Sequence, residues 1–369
     1  MLLVFNEVKG QKQHSFQAPN LMFEARSNYG FLIAHHLEME IFNKHLPSFE
    51  ISLARSTYGK HQWETLYQYP VTGLTYWNGW LGDRETLGKA HAVMPFISFP
   101  IIKHDKTELS FRLAAGLGYL TKHFDRIENY KYIAIGSHLN AAINLMFEYR
   151  WKPVNHLQVF GGIQLMHFSN GSIKTPNFGL NIPSLTGGLA LRINKENPYI
   201  KRAIRPTLTM FEFDGRQFLE VRINTAFGIK DIGEVTSERY NVVAGSVGVL
   251  KNIGYKGKVG LGFDFSYDGS DARYVGVKGV DYKSNLQLVK PGIALMYEVV
   301  LSRLSFPFAL GFYTGGRYKS EGISYYKIGL QYIVYRNFYT SLTLKTHYAR
   351  ADYVAFGIGY RFKVKHYLF

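Results

Sequence analysis

The sequence predicts an all-β protein: a transmembrane antiparallel β-barrel of the outer-membrane type with about 16 strands, within a range of roughly 14–18. Three observations support this fold class. Aromatic residues make up 16% of the chain, with 27 Tyr and 27 Phe but 4 Trp, and 36 Gly accompany them. Most of the chain alternates between apolar and polar residues in segments of about ten, separated by turn residues. No run of roughly 18 apolar residues occurs, which excludes a protein that crosses a membrane with several helices.

The alternation is clearest in the stretch 143–151. Leu145 and Phe147 share one face of the predicted strand, whereas Asn144 and Glu148 share the other. Successive side chains of a strand point to opposite faces, so this strand has an apolar side for lipid and a polar side for the barrel interior. The same parity recurs at 109–119 and 354–362.

The predicted strands number sixteen. They are 27–36, 47–57, 70–79, 91–103, 107–120, 138–151, 156–169, 182–194, 217–229, 239–251, 255–267, 290–302, 306–317, 323–334, 338–349 and 353–364. The segment 195–213 is interpreted as a connection that is irregular or only partly paired, since a strand at 206–213 would give an odd number of strands. Short and long connections alternate as in barrels of this kind, except that 58–69 is long where a short turn is expected.

Residues 21–369 are predicted to form a single β-barrel domain, because no linker, low-complexity stretch or repeat divides them. Residues 1–20 are interpreted as a signal-peptide remnant and N-terminal tail, with a frayed terminus as the alternative.

The charge and the residue types of the chain limit the kinds of partner and cofactor that we expect. The formal net charge is +16 and there are no cysteines. The 43 Lys and Arg are dispersed and form no basic arm, so we expect no nucleic-acid partner; an anionic lipid surface explains the excess equally well. Disulfides and thiolate chemistry are excluded. His35 and His36 would point to opposite faces of a strand, so we expect neither a metal nor another cofactor.

The most informative stretch lies at the outer end of strand 156–169. His167 and Ser169 are two residues apart, so they are neighbours on one face of the strand, and a histidine base can then reach a serine hydroxyl. Both are in phase with Ile163 and Leu165, which puts them on the lipid side. The alternative is that the apolar belt simply stops here and the aqueous loop begins.

The run HFSNGSIKTPNFGLN (167–181) resembles the signature of the PagL-type lipid A 3-O-deacylases, outer-membrane hydrolases with a His-x-Ser-Asn and then a Pro-Asn-x-Gly pattern. The flanking runs HAVMPFISFP, GLGYL, FDRIENYK and IGSHLNAA are similar to the longer proteins called acyloxyacyl hydrolases. The signature covers about fifteen residues and the longer similarity roughly the first half of the chain; we find no resemblance beyond about residue 200.

The resemblance implies roles for individual residues. Ser169 would be the nucleophile, His167 the general base, and Asn177 with the backbone amides near Gly171 the oxyanion donors. Asn181 stands where the family normally has an acidic third member; an asparagine can hold the histidine tautomer but supplies no full charge.

Asp125 and Glu128, in the preceding outer loop, are possible substitutes for that acid, although solvated loop charges are the simpler interpretation. Asn170, His138 and Asn140 are candidates for supporting the site, and for His138 and Asn140 a loop-ordering role is the simpler interpretation.

The leading functional prediction is therefore an outer-membrane serine esterase that removes an ester-linked acyl chain from lipid A of lipopolysaccharide, with its site toward the outer leaflet. The expected partners are lipopolysaccharide and outer-membrane lipid, and the oligomeric state stays open. The alternative is a porin, transport or structural barrel in which the motif is inactive, because sixteen strands could enclose a channel.

Overall fold

The computed structural model describes residues 21–33, 40, 42, 44–194, 217–233, 238–319, 322–348 and 350–366. Within these residues the chain forms sixteen antiparallel strands, and they close into two barrels of eight. No helix in these ranges is long and apolar enough to cross a membrane.

The first barrel contains strands β1 to β8 in sequence order, each paired with its neighbours. Strand β1 closes the barrel by pairing with β8, so that Met22 faces Arg192 and Gly30 faces Ser184. A short helix, α1 (Gln62–Leu66), lies between β2 and β3. The strands are β1 (Leu21–Phe31), β2 (His45–Ser56), β3 (Val71–Trp80), β4 (Lys89–Lys103), β5 (Thr107–Leu120), β6 (Leu139–Val154), β7 (Leu157–Ser169) and β8 (Leu180–Arg192).

The second barrel contains β9 to β16 and closes by the pairing of β9 with β16, in which Ile229 faces Val354. Helix α2 (Ser270–Val277) and a 3-10 turn (Asn285–Leu288) lie between β11 and β12. The strands are β9 (Gln217–Asp231), β10 (Arg239–Ile253), β11 (Gly257–Asp268), β12 (Lys290–Leu301), β13 (Leu304–Tyr313), β14 (Ser324–Tyr335), β15 (Phe338–His347) and β16 (Arg350–His366).

The predicted all-β fold class and the number of strands are confirmed, but the prediction of one barrel over 21–369 is wrong. Each hairpin has the same local pattern in either architecture, and only the pairing of β1 with β8 and of β9 with β16 decides how the sheet closes. The first strand also begins earlier than predicted, at Leu21 instead of residue 27, because Glu24 and Arg26 point into the barrel and continue its polar face. Residues 1–20, His35, His36 and the connection 195–213 lie outside the described residues.

The interior of the first barrel holds a buried network of ion pairs. Arg26 lies 2.7 Å from Glu24 and 2.8 Å from Glu148, and Arg112 lies 2.7 Å from Glu50. Buried charges are tolerated only when they are paired, since each loses its hydration. An eight-stranded barrel is just wide enough for its side chains to fill it, so this network occupies the lumen.

The interior of the second barrel is also filled by ion pairs. Arg222 contacts Glu220 and Glu298, and Lys230 lies 3.0 Å from Asp268. The outward positions of both barrels are apolar instead, with exposed side chains that include Phe147, Leu185, Phe227, Leu261, Ile293 and Phe356. This combination of polar interior and apolar exterior is the one that a bilayer requires.

The two barrels contact each other at both ends. We call the end at which β7 leads into β8 the upper end; there Ser172 contacts the second barrel. At the lower end, Tyr67 Oη donates a hydrogen bond of 2.9 Å to the carbonyl of Val300, and the ammonium of Lys256 lies 5.0 Å from the Tyr67 ring centroid. Tyr67 follows α1, so the unexpectedly long connection 58–69 carries this lower contact.

Candidate active site

The candidate site lies where β7 ends, on the exterior of the first barrel. His167 and Ser169 are half-buried and alternate with Met166 and Phe168, which point into the barrel and are fully buried. The outward phase expected from the sequence therefore agrees with the observed burial. Apolar neighbours continue below the pair on the same face, with Ile163 57% exposed. The side chains of His167 and Ser169 thus project at the upper border of the apolar exterior.

His167 is held by its neighbour across the β7–β8 pair. His167 and Asn181 face each other in register, and Oδ1 of Asn181 lies 2.7 Å from Nδ1 of His167. An amide oxygen can only accept, so Nδ1 carries the proton and Nε2 is the basic nitrogen of the ring. The position that the sequence assigned to the third member is therefore in contact with the imidazole.

Two donors converge on the hydroxyl of Ser169. Nδ2 of Asn177 lies 3.0 Å from Ser169 Oγ, and the backbone N–H of Gly171 lies 3.2 Å from the same oxygen. The orientation of the Asn177 amide is fixed because its Oδ1 accepts the backbone N–H of Asn170 at 2.9 Å. Two hydrogen-bond donors therefore lie within reach of negative charge that would form at or beside this oxygen.

Asn170 ties the β7–β8 loop (residues 170–179) to the neighbouring loop. Its Nδ2 donates to the carbonyl of Lys174 at 2.7 Å and to Oγ of Ser137 at 2.8 Å. Asn140 completes this contact, since Ser137 Oγ donates to its Oδ1 at 3.0 Å and its Nδ2 donates to the Ser137 carbonyl at 2.8 Å. Asn170 and Asn140 therefore act on the shape of the loop.

His138 is less directly connected to the site. Its Nδ1 lies 2.7 Å from the carbonyl of Leu120, its ring stacks on Tyr119 at 5.4 Å, and it meets His123 edge-on at 4.2 Å. These contacts order the β5–β6 loop, which is the simpler of the two interpretations that the sequence left open.

Gly179 contributes to the site although the sequence analysis did not select it. Its φ is +82°, and a Cβ at this position would lie 3.1 Å from Cε1 of His167. Its N–H donates to the carbonyl of Ala134, and Asn177 forms a bridge with Ile135, so the β5–β6 loop supports the β7–β8 loop. The signal for Gly179 was present in the sequence as the last residue of the Pro-Asn-x-Gly pattern.

Asp125 and Glu128 belong to a separate turn. Oδ1 of Asp125 accepts the backbone N–H groups of Glu128 and Ile127 at 2.9 and 2.8 Å, and these bonds lower the pKa of its carboxyl. Both acidic side chains are exposed. The contacts of Asp125 are those of a residue that orders its own loop, whereas Asn181 contacts the His167 ring.

The groups gathered here are of the kinds that nucleophilic acyl transfer uses. Ser169 supplies a hydroxyl, the Nε2 of His167 a base, and Asn177 and Gly171 supply hydrogen-bond donors. Asn181 orients the imidazole without adding a negative charge. The side chains of His167 and Ser169 lie beside the apolar exterior of the first barrel.

Two protein-family models match the chain. Residues 48–190 match the model described as lipid A 3-O-deacylase (PagL), and residues 219–364 match the model described as acyloxyacyl hydrolase, C-terminal domain. The first match ends in β8 and covers most of the first barrel, and the second covers nearly all of the second barrel. The second match extends the resemblance beyond residue 200.

Among solved structures, neisserial surface protein A is 7% identical, with a TM-score of 0.34; the match covers 48% of this chain and all of that one. A mutant porin of Rh. blastica is 10% identical, with a TM-score of 0.19, and covers 94% of this chain and all of its own. With TM-scores this low, neither likeness bears on the activity. No curated protein matches the chain.

Proposed function

This chain belongs to the family of the lipid A 3-O-deacylases (PagL) and acyloxyacyl hydrolases, and on that premise we propose that it is an outer-membrane serine esterase that removes an ester-linked acyl chain from lipid A of lipopolysaccharide. The observation that carries this proposal is the convergence of Asn177 Nδ2 and the Gly171 N–H on Ser169 Oγ, on the strand face that also presents His167.

In the first step, Ser169 Oγ attacks the carbonyl carbon of the acyl ester. Its proton passes to Nε2 of His167, which becomes an imidazolium, and the carbonyl oxygen becomes an oxyanion. The oxyanion accepts hydrogen bonds from Asn177 Nδ2 and the Gly171 N–H. Donors of this kind contribute about 2.7–4 kcal/mol each to the stabilisation of the transition state.

The tetrahedral intermediate then collapses. The bond between the carbonyl carbon and the lipid A oxygen breaks, and the departing oxygen takes the proton from the His167 imidazolium. The acyl chain is now esterified to Ser169. A water molecule that gives its proton to His167 attacks this ester, the fatty acid leaves, and Ser169 Oγ takes back the proton.

Asn181 keeps His167 in the tautomer that this sequence of proton transfers needs. Its Oδ1 accepts the Nδ1 proton, so Nε2 is the nitrogen that receives the proton of Ser169. A carboxylate would also stabilise the imidazolium by its charge. We therefore expect a working enzyme with a lower turnover than one with an acidic residue at this position.

The exterior position of the site suits a lipid substrate. Acyl chains in the membrane can approach the apolar face of β7 from the side, without leaving the bilayer. The upper end of the first barrel also carries Lys122, Lys131 and Lys174 in its loops, and the chain has a net charge of +16. Ammonium groups of this kind would attract the phosphates of lipid A, which supports an orientation with the upper end at the outer leaflet.

The filled interiors argue against the alternative of a channel. Arg26, Arg112 and Arg150 with their glutamate partners occupy the first lumen, and Arg222 with its partners occupies the second. Opening either lumen would separate buried ion pairs, and a buried charge left without its partner costs about 3–5 kcal/mol.

The proposal is tested with the purified full-length protein in detergent and lipopolysaccharide as the substrate. We expect the wild type to release fatty acid and to bind a fluorophosphonate probe covalently, and Ser169→Ala to lose both. Ser110→Ala is the matched control: its hydroxyl is buried inside the first barrel on β5, away from the β7–β8 loop, so this variant should still react with the probe. Undiminished fatty-acid release by Ser169→Ala would overturn the proposal.

A further inference from the structure

The β7–β8 loop, which carries both oxyanion donors, is attached to the second barrel. The carbonyl of Ser172 accepts the backbone N–H of Asp231 at 2.8 Å, and Ser172 Oγ donates to the carbonyl of Ala351 at 2.9 Å. The backbone N–H of Thr175 donates to Oδ2 of Asp231 at 3.3 Å. Asp231 ends β9 and Ala351 lies at the start of β16, so three hydrogen bonds join the loop to the seam that closes the second barrel.

The conformation of this loop is one that needs support. Gly171 has a φ of +62° and Ser172 a φ of +67°. Glycine adopts such values readily, but for serine the left-handed region costs about 1–3 kcal/mol and persists only where the surroundings enforce it. At Ser172 the hydrogen bonds of both its hydroxyl and its carbonyl lead to the second barrel.

This conformation determines where one oxyanion donor points. The N–H of Gly171 lies 3.2 Å from Ser169 Oγ, and Gly171 directly precedes Ser172. If Ser172 relaxed to an ordinary negative φ while the loop stayed attached at its ends, the peptide between Gly171 and Ser172 would turn. Gly171 would then have to change its own backbone angles, which would move its N–H away from Ser169 Oγ. The second barrel therefore influences the surroundings of Ser169 Oγ through Gly171 and Ser172, two consecutive residues with positive φ.

Side chains of the second barrel also pack against Gly171 and leave no room for a side chain there. A Cβ added at Gly171 would lie 2.2 Å from Cγ2 of Val354 and 4.0 Å from Cδ1 of Leu344. Both are side chains of the second barrel, on β16 and β15. Asp231 is itself fixed, since it is buried and its Oδ1 accepts the N–H of Gly233 at 3.0 Å.

We propose that the second barrel is a working part of the hydrolase: it holds the β7–β8 loop in the conformation that aims the Gly171 N–H at the nucleophile, with Ser172 and Asp231 as positioning residues. This inference rests on the proposed function, because it assumes that Ser169 is the nucleophile. It also gives a reason for the presence of a second, filled barrel beside the first.

The test uses two substitutions of Ser172 in the full chain. Ser172→Ala removes the hydrogen bond to Ala351 but keeps the cost of the positive φ, whereas Ser172→Gly removes the same bond and also that cost. We expect kcat on lipopolysaccharide to fall about tenfold in Ser172→Ala and only about threefold in Ser172→Gly, with KM unchanged, since the loss concerns the transition state. If the substitutions only loosened the loop in general, the kcat of Ser172→Gly would not exceed that of Ser172→Ala.

Substitutions of Asp231 form the second part of the test. Asp231→Ala removes the acceptor of the Thr175 N–H, and Asp231→Asn restores a side-chain oxygen that can accept it. We expect kcat to fall about tenfold in the alanine variant and to recover largely in the asparagine variant. Tyr67→Phe is the matched control, because it deletes the hydrogen bond to Val300 between the barrels at the lower end and should leave kcat unchanged.

Heat-dependent electrophoretic mobility verifies that each variant is folded. If Ser172→Ala and Ser172→Gly both keep the wild-type kcat, or if Tyr67→Phe reduces kcat as strongly as they do, the inference is overturned. The failure of the proposed function looks different: the wild type itself would then release no fatty acid that depends on Ser169.

Discussion

Oδ1 of Asn181 lies 2.7 Å from Nδ1 of His167, and the two residues face each other across the β7–β8 pair. The strand register thus supplies the third member of the candidate triad, and it does so with a neutral amide. The geometry that a carboxylate would provide is present, but its charge is absent. We therefore expect kcat to respond to the exchange of this amide for a carboxylate.

Replacing Asn181 by aspartate should raise turnover. Asn181→Asp keeps an acceptor for the Nδ1 proton and adds a charge that stabilises the imidazolium, so we expect kcat to increase about tenfold. Asn181→Ala removes the acceptor and should lower kcat about tenfold. Initial rates of fatty-acid release from lipopolysaccharide measure both, and an aspartate variant slower than the wild type would refute this assignment.

Asn177 can be tested by separating its two functions. Asn177→Asp keeps an oxygen for the Asn170 N–H but has no donor for the oxyanion, whereas Asn177→Ala has neither. We expect both to lose about 10²–10³-fold in kcat, because the donor matters for the reaction. If the aspartate variant kept wild-type turnover while the alanine variant lost it, Asn177 would be a loop residue only.

Gly179 should be sensitive for steric reasons. In Gly179→Ala the methyl group would lie 3.1 Å from Cε1 of His167 at a φ of +82°, so the ring must shift and kcat should fall at least tenfold. Gly254→Ala is the matched control: it has a φ of +61° and nothing within 4 Å. Both variants should lose about 1 kcal/mol of stability, and equal turnover in the two would argue against a steric role of Gly179.

The acidic residues of the outer loop should be dispensable for the chemistry. Asp125→Ala removes acceptors of two backbone N–H groups in its own turn, and Glu128→Ala removes an exposed charge. We expect kcat to stay within about twofold of the wild type in both, in line with the small effects of most exposed substitutions. A loss as large as that of Asn181→Ala would make one of them the third member instead.

The protein should not conduct ions. Both lumens are occupied by buried ion pairs, such as that of Arg112 with Glu50. In planar bilayers containing the folded protein we therefore expect no stable open channel. A reproducible single-channel conductance would contradict the filled interiors and restore the channel alternative.

The sequence predicted what depends on local order. Strands and their faces follow from alternation, so fifteen of the sixteen predicted strands agree with the observed ones to within a few residues. His167, Ser169, Asn177 and Asn181 lie within fifteen residues, and a single hairpin brings them together.

Features that depend on distant pairing could not be predicted in the same way. The closure of β1 on β8 joins residues that are distant in the chain, from Met22 with Arg192 to Gly30 with Ser184, and no local pattern distinguishes it from a continuation into β9. The contact of Ser172 with Asp231 depends on how two separate barrels sit side by side. Neither residue stands out in composition or spacing.

The central claim, that Ser169 is the nucleophile of a lipid A deacylase, is tested most directly by mass spectrometry of lipid A. Lipid A would be isolated from cells that express the wild type and from cells that express Ser169→Ala at the same level in the outer membrane. We predict that the wild type shifts lipid A to a mass lower by one acyl chain, and that Ser169→Ala leaves it fully acylated. Identical lipid A spectra from the two strains would contradict the account.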